Sequence, residues 1–191
     1  NAIGLVTGVI RTEQGTVLVD SPLRQDDAKS WRSATARLVT SDARFLISLD
    51  SNYDRALSAK GSEYVTICQN SGTPPPKTRQ SAQKLLDDSS ASSDSHDSTT
   101  SNRVLPPEIV FSKDMQLHLG SYDIYLEHHP GSNLSGIWVH IPRQKVLFVG
   151  DSVLVDQPPF LAYADLAAWE EDLKSLASRT YKGYLIISAR S

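Results

Sequence analysis

Lys145-Val146-Leu147-Phe148-Val149-Gly150-Asp151 (residues 145–151) is the stretch that decides how this chain is read. Its four consecutive apolar side chains make a short buried strand, and Gly150-Asp151 ends it. Immediately upstream, Pro142-Arg143-Gln144 turns the chain, and Ile137-Trp138-Val139-His140-Ile141 is a further strand. Before that, Met115-Gln116-Leu117-His118-Leu119 and Tyr122-Asp123-Ile124-Tyr125-Leu126 flank Gly120-Ser121, a two-residue hairpin signal. Downstream, Leu166, Trp169, Leu173 and Leu176 share one face of a helix predicted from Leu161 to Ala177. Tyr184-Leu185-Ile186-Ile187 is a closing strand.

The first half repeats this kind of pattern. Ile3 to Ile10 is β-rich, Gln14-Gly15 marks a turn, and Thr16-Val17-Leu18-Val19 is a buried strand ending at Asp20. Ala28, Trp31, Thr35 and Leu38 recur at helical spacing. Arg44 to Leu49 is a second buried strand, Asp50 to Asp54 a polar turn, and a short helix then runs to Lys60-Gly61, with Gly61 as its C-cap. Tyr64 to Cys68 is a third strand. Strands alternating with helices predict an α/β layer.

The middle differs. Pro74-Pro75-Pro76 stops regular structure, and Gln80 to Leu86 can form a short helix. Residues 87–102 are Ser, Asp and Thr with almost no apolar side chain, too few to offset the entropy of ordering, and read as a mobile surface loop. The chain thus reads as one domain over residues 1–191: a first half 1–86, the Ser/Asp-rich loop 87–102 and a second half 103–191.

Composition narrows the function. A net charge of −3 over 191 residues argues against a general nucleic-acid footprint. No apolar run approaches the roughly 18 residues that span a bilayer, so no membrane span is expected. The chain opens at Asn1 without a signal-peptide pattern, and the expected address is cytoplasmic. The single cysteine, Cys68, excludes a Cys-rich zinc site and reads as a small core residue. Five histidines remain: His96, His118, His128, His129 and His140.

Taken in order, these pieces resemble the metallo-β-lactamase superfamily. That family opens with a hairpin and a strand ending in Asp, as Val17-Leu18-Val19-Asp20 does here. It carries His-x-His-x-Asp-His after a buried strand, where this chain has Asp50-Ser51-Asn52-Tyr53-Asp54-Arg55 after Phe45 to Leu49. It then has Gly-His-Thr, matched by Gly131-Ser132-Asn133, and a strand pair ending in Gly-Asp, matched by Gly150-Asp151. The resemblance covers nearly the whole chain. It implies an α/β (α+β) architecture, an αββα four-layer sandwich of two mixed β-sheets flanked by helices, with a groove at one sheet edge.

It also implies a dinuclear zinc site, and here the chain departs from the family. The two His of the first metal site become Asp50 and Asn52, and the third becomes Ser132. The second site keeps its Asp as Asp54, but its neighbouring His becomes Arg55. The bridging Asp is kept as Asp151. The last family His falls near Ala189 to Ser191 or past the end. Zinc prefers imidazole or thiolate with an open water position, and these positions offer oxygen. Without metal, water keeps its high pKa and forms no hydroxide at neutral pH. Arg55 cannot coordinate a cation, and is expected to pair with Asp54 or Asp151 in the metal's place, with Arg190 as a second candidate.

The sequence-based expectation is therefore a protein of this fold that has lost the zinc centre. It would bind or scaffold an unidentified small molecule or protein, with no cofactor and no nucleic acid or membrane partner. Two alternatives stay open. One is a hydrolase with a reduced or relocated zinc or other divalent site, using Asp54 and Asp151, with Asp50 and a relocated His129 as further ligands. The other is a regulatory module acting through the 87–102 loop. Against any metal role, Asp50 can cap the helix at Tyr53, and Asp54 and Asp151 can bond loop backbone. His128 and His129 are adjacent, so on a strand only one could reach the site. His118 and His140 read as structural, His96 as solvated, and Trp31 and Trp169 as packing residues. Ser132 and Ser152 lie in no nucleophile-elbow pattern.

Overall fold

The computed structural model describes residues 4–22, 25–39, 43–50, 64–69 and 107–190. Ten strands form two five-stranded sheets. The first sheet holds β1 (Gly8–Arg11), β2 (Gly15–Val19), β3 (Ala43–Ile47), β4 (Val65–Gln69) and β5 (Ile109–Phe111), in that spatial order. β1 and β2 are antiparallel and the remaining neighbours parallel. The second sheet runs β10-β9-β8-β7-β6. Its strands are β6 (Asp114–Leu119), β7 (Tyr122–His128), β8 (Ile137–Ile141), β9 (Val146–Gly150) and β10 (Leu185–Ser188). Here only β9 and β10 are parallel. Both sheets are therefore mixed, as the resemblance implies.

The parallel pairs need crossovers, and two helices among the described residues serve them. Helix α1 (Gln25–Ala36) joins β2 to β3, and helix α2 (Leu166–Leu176) joins β9 to β10. The sheets face each other through one core: Val17, Val19, Ile47 and Ile67 from the first meet Leu117, Ile124, Leu126, Val139 and Phe148 from the second. Because strand side chains alternate, Trp138, Leu147 and Val149 fall on the outer face of the second sheet. Leu176 of α2 and Tyr181 of the 3₁₀ turn Arg179–Tyr181 cover them. Each fully buried large apolar side chain contributes roughly 1.5–3 kcal/mol.

The structure corrects the sequence reading at several boundaries. Helix α2 starts at Leu166 rather than Leu161, because the Asp165 side chain accepts the Ala168 amide and sets the N-cap there. The closing strand is Leu185–Ser188 rather than Tyr184–Ile187, and the third strand is Val65–Gln69. Strand β5, only three residues long, is an addition to the sequence reading: Ile109, Val110 and Phe111 are β-prone but too few to show a period, and pairing with β4 defines the strand. The polar turn after Asp50, the helix to Gly61, the proline run 74–76, the helix 80–86 and the 87–102 loop lie outside the described residues. Among the described residues, no helix is long and apolar enough to cross a membrane.

Candidate functional site

Four strand ends, those of β2, β3, β9 and β10, and the turn before β8 converge at one edge of the sandwich. Asp20, buried after β2, adopts φ 57°, a left-handed conformation that Asp tolerates better than most residues. Its amide donates to the Ile47 carbonyl at 2.9 Å, and its Oδ1 accepts the Leu49 amide at 2.9 Å. One side chain thus shapes the segment that leaves β3. Ser48 Oγ donates to the Asp50 carbonyl at 2.8 Å, and Asp50 itself is buried.

From this segment the Leu49 carbonyl accepts the Ile137 amide at 2.8 Å, which stitches the two sheets together at the start of β8. The turn that precedes β8 carries Ser132. It is closed by His129 N to Gly136 O and Gly136 N to Asn133 O, both 2.8 Å, and Asn133 Oδ1 accepts from both the amide and the hydroxyl of Ser135. Gly136 is required here, since a Cβ would lie 2.3 Å from the His129 carbonyl oxygen.

β8 pairs antiparallel with β9, so the end of β9 lies beside the start of β8. Asp151 follows β9 immediately. β10 runs parallel to β9 and the Ala189 amide donates to Gly150 O at 2.9 Å, which brings Arg190 alongside. Arg190 Nε then lies 3.3 Å from both oxygens of Asp151. Leu5 bridges to Arg190, and the Val6 amide donates to Ala189 O at 2.8 Å, so the chain's first described residues close this corner.

Of the residues singled out in the sequence, Asp50, Ser132 and Asp151 are thus carried by segments that meet at this edge. Asn52, Asp54 and Arg55 lie outside the described residues, and so does the expected pairing of Arg55. Among the described residues, Arg190, the second of the two candidates, lies against Asp151. Among the described residues, no group of three or more His, Cys, Asp and Glu is placed to hold a metal ion. Asp50, Ser132 and Asp151 offer oxygen alone, a donor set suited to hard cations rather than to zinc.

His129 occupies a position that strand alternation does not anticipate. Its ring stacks on Trp138 with centroids 3.6 Å apart and planes 12° apart. Nδ1 lies 2.6 Å from Asp172 Oδ1 and Nε2 lies 3.8 Å from Glu127 Oε2. Burial alone would push its pKa down, but the Asp172 bond and the Glu127 carboxylate outweigh it and the net shift is upward. Glu127 is held below its usual range chiefly by the His129 ring, against partial burial. Asp172 was not legible in the sequence: it lies 43 residues from His129, and its only signal is its place three residues after Trp169 on α2.

The remaining candidates have structural partners. His128 Nε2 lies 2.9 Å from Leu134 O, and His140 Nε2 lies 3.0 Å from Tyr184 Oη. Burial lowers the pKa of His140. His118 pairs with Asp123 on the exposed hairpin. Ser152 Oγ accepts Trp138 Nε1 at 3.1 Å while its carbonyl accepts Trp169 Nε1 at 2.9 Å, so Ser152 anchors two indoles.

The family model of the metallo-β-lactamase superfamily matches residues 65–186. Among solved structures, a metallo-β-lactamase from Pontibacter korlensis superposes with a TM-score of 0.67 at 16 % identity, covering 96 % of this chain and 78 % of that one. A metallo-β-lactamase family protein from Thermus thermophilus gives 0.68 at 16 % identity, covering 97 % and 68 %. At this identity the likeness concerns the fold. No curated protein matches the chain in sequence.

Proposed function

The chain belongs to the metallo-β-lactamase superfamily, and from that premise we propose that it is a member without the dinuclear zinc centre, acting by binding or scaffolding in the old groove. The observation that carries this reading is the Arg190–Asp151 contact. Asp151 stands where the family's bridging carboxylate would face two cations, and a guanidinium lies 3.3 Å from both its oxygens. A guanidinium satisfies a carboxylate as a metal does, but it has no coordination position and cannot generate hydroxide.

Two further points support the reading. The sequence replaces every matched histidine, leaving Asp50, Asn52 and Ser132 at one metal's positions and Asp54 with Arg55 at the other's. And His129, whose ring stacks on Trp138 at the outer face of the second sheet, has both ring nitrogens directed at carboxylates of its own fold. The expected ligand is a small molecule or a protein segment that fits the groove, held without metal or cofactor.

The deciding experiment is metal analysis of the full chain purified without chelator, with zinc, manganese and iron then added back under calorimetry. Substoichiometric metal and no saturable heat below millimolar concentration support the proposal. Tight stoichiometric binding that is lost in Asp151→Ala overturns it in favour of a hydrolase with a reduced site built on Asp54 and Asp151.

A further inference from the structure

We propose that His129 is a pH-operated clasp, holding the turn that carries Ser132 against helix α2. The geometry is that of a cation held between two elements. The ring leaves the end of β7, stacks on Trp138 of β8, and reaches Asp172 on α2 at 2.6 Å. Two backbone features bring the helix that close. The Asp165 amide donates to Gly131 O at 3.0 Å. At Gly131 a Cβ would stand 2.5 Å from Asp172 Oδ2 and 2.6 Å from the Trp169 Cα, so only glycine lets the turn seat on the helix.

The titratable groups around the ring are Glu127 from β7, Asp172 from α2, His140 from β8 and Tyr181 from the 3₁₀ turn. Of these only His140 can oppose a cation at His129, and burial keeps His140 toward its neutral form. A protonated ring donates to Asp172 and faces Glu127 at 3.8 Å with its other N–H. A neutral ring has one N–H. Whichever nitrogen keeps it, the other presents a lone pair to a carboxylate. Asp172 is sensitive to this, because its second oxygen is buried without a hydrogen-bond partner.

The direction of the pH effect follows. The folded-state pKa of His129 is raised above the ordinary value. The clasp's contribution is therefore complete below about pH 6.5, the unfolded value, and is lost as pH rises through the folded pKa. Above it, the turn with Ser132 loosens from α2, and the edge of the groove loosens with it. The clasp is independent of the proposed function so long as His129 is not itself a ligand, and would stand even if metal were found on Asp54 and Asp151.

The test is nitrogen NMR of the histidine rings together with amide hydrogen exchange of the full chain between pH 5.5 and 9. The expected result is that His129 titrates above its ordinary value. Across the same midpoint, protection of the His129, Gly136 and Asp165 amides, corrected for intrinsic exchange, should fall about fivefold or more. Glu127→Gln, at a half-exposed position, should lower the midpoint by about half a unit or more. His129→Gln should make protection independent of pH. A ring that is neutral throughout the range, unchanged protection across its titration, or an unmoved midpoint in Glu127→Gln overturns the proposal. Should His129→Gln fail to fold, the Glu127→Gln midpoint still decides.

Discussion

Arg190 and Asp151 are 39 residues apart in the chain, yet a single guanidinium N–H is shared between both oxygens of the carboxylate. The contact joins Arg190, two residues beyond the end of β10, to Asp151, the residue that follows β9.

Removing that cation leaves a largely buried carboxylate beside a weakened strand end. Arg190→Ala should cost about 1–2 kcal/mol in urea denaturation, a figure kept low because both side chains retain some solvent access. Arg190→Lys should restore only part of this, since the donor that meets Asp151 is Nε, and a lysine ammonium sits one bond further from the backbone than that nitrogen. Equal stability of all three proteins would remove the contact from the account of this site.

Asp20 serves the same edge by a different route. Asp20→Ala orphans the buried Leu49 amide and places alanine at φ 57°, and should cost about 2–3 kcal/mol. Asp20→Asn keeps the acceptor and tolerates that φ, so it should cost clearly less. The comparison is read from paired thermal melts. Equal losses would mean that the charge, and not the Leu49 bond, is what matters at this position.

Gly131 tests how tightly the turn sits on α2. Gly131→Ala drives a methyl into Asp172 and the Trp169 backbone, and should destabilise by about 3 kcal/mol. Gly183, with φ 79° but open space around it, should tolerate alanine better, losing about 1 kcal/mol from backbone strain alone. Chemical denaturation of the two variants side by side checks the ranking.

Trp138 links the histidine clasp to Ser152. Trp138→Phe keeps a ring for His129 to stack on but leaves Ser152 Oγ without its indole donor. A loss of about 1–2 kcal/mol is expected. Ser152→Ala removes the partner instead and orphans the indole N–H, with a similar cost. If the double variant costs no more than either single one, the two act as one unit.

Much of this was legible in the sequence. The apolar run of β9 ending in Gly150-Asp151, the hairpin at Gly120-Ser121 and the period of α2 are local patterns, and local patterns follow from the two-residue and 3.6-residue repeats of strand and helix. The ordered set of such pieces was enough to point to the family. The three-residue β5 escapes such a reading because so short an element has no period to show; β4 defines it by pairing.

What the tertiary structure alone decided is which charges meet. Residue types at Asp151, Arg190, His129 and Asp172 carry no record of partners 39 and 43 positions away. By residue type, Arg55 and Arg190 can each serve Asp151; the parallel pairing of β10 with β9 is what carries Arg190 to it. His129 reads as a strand-end residue in the sequence, and the crossover through α2 is what returns Asp172 to its ring. The physical reason is range: a side chain's periodicity is set by its neighbours along the chain, whereas an ion pair or hydrogen bond is set by the last few ångströms of packing between elements.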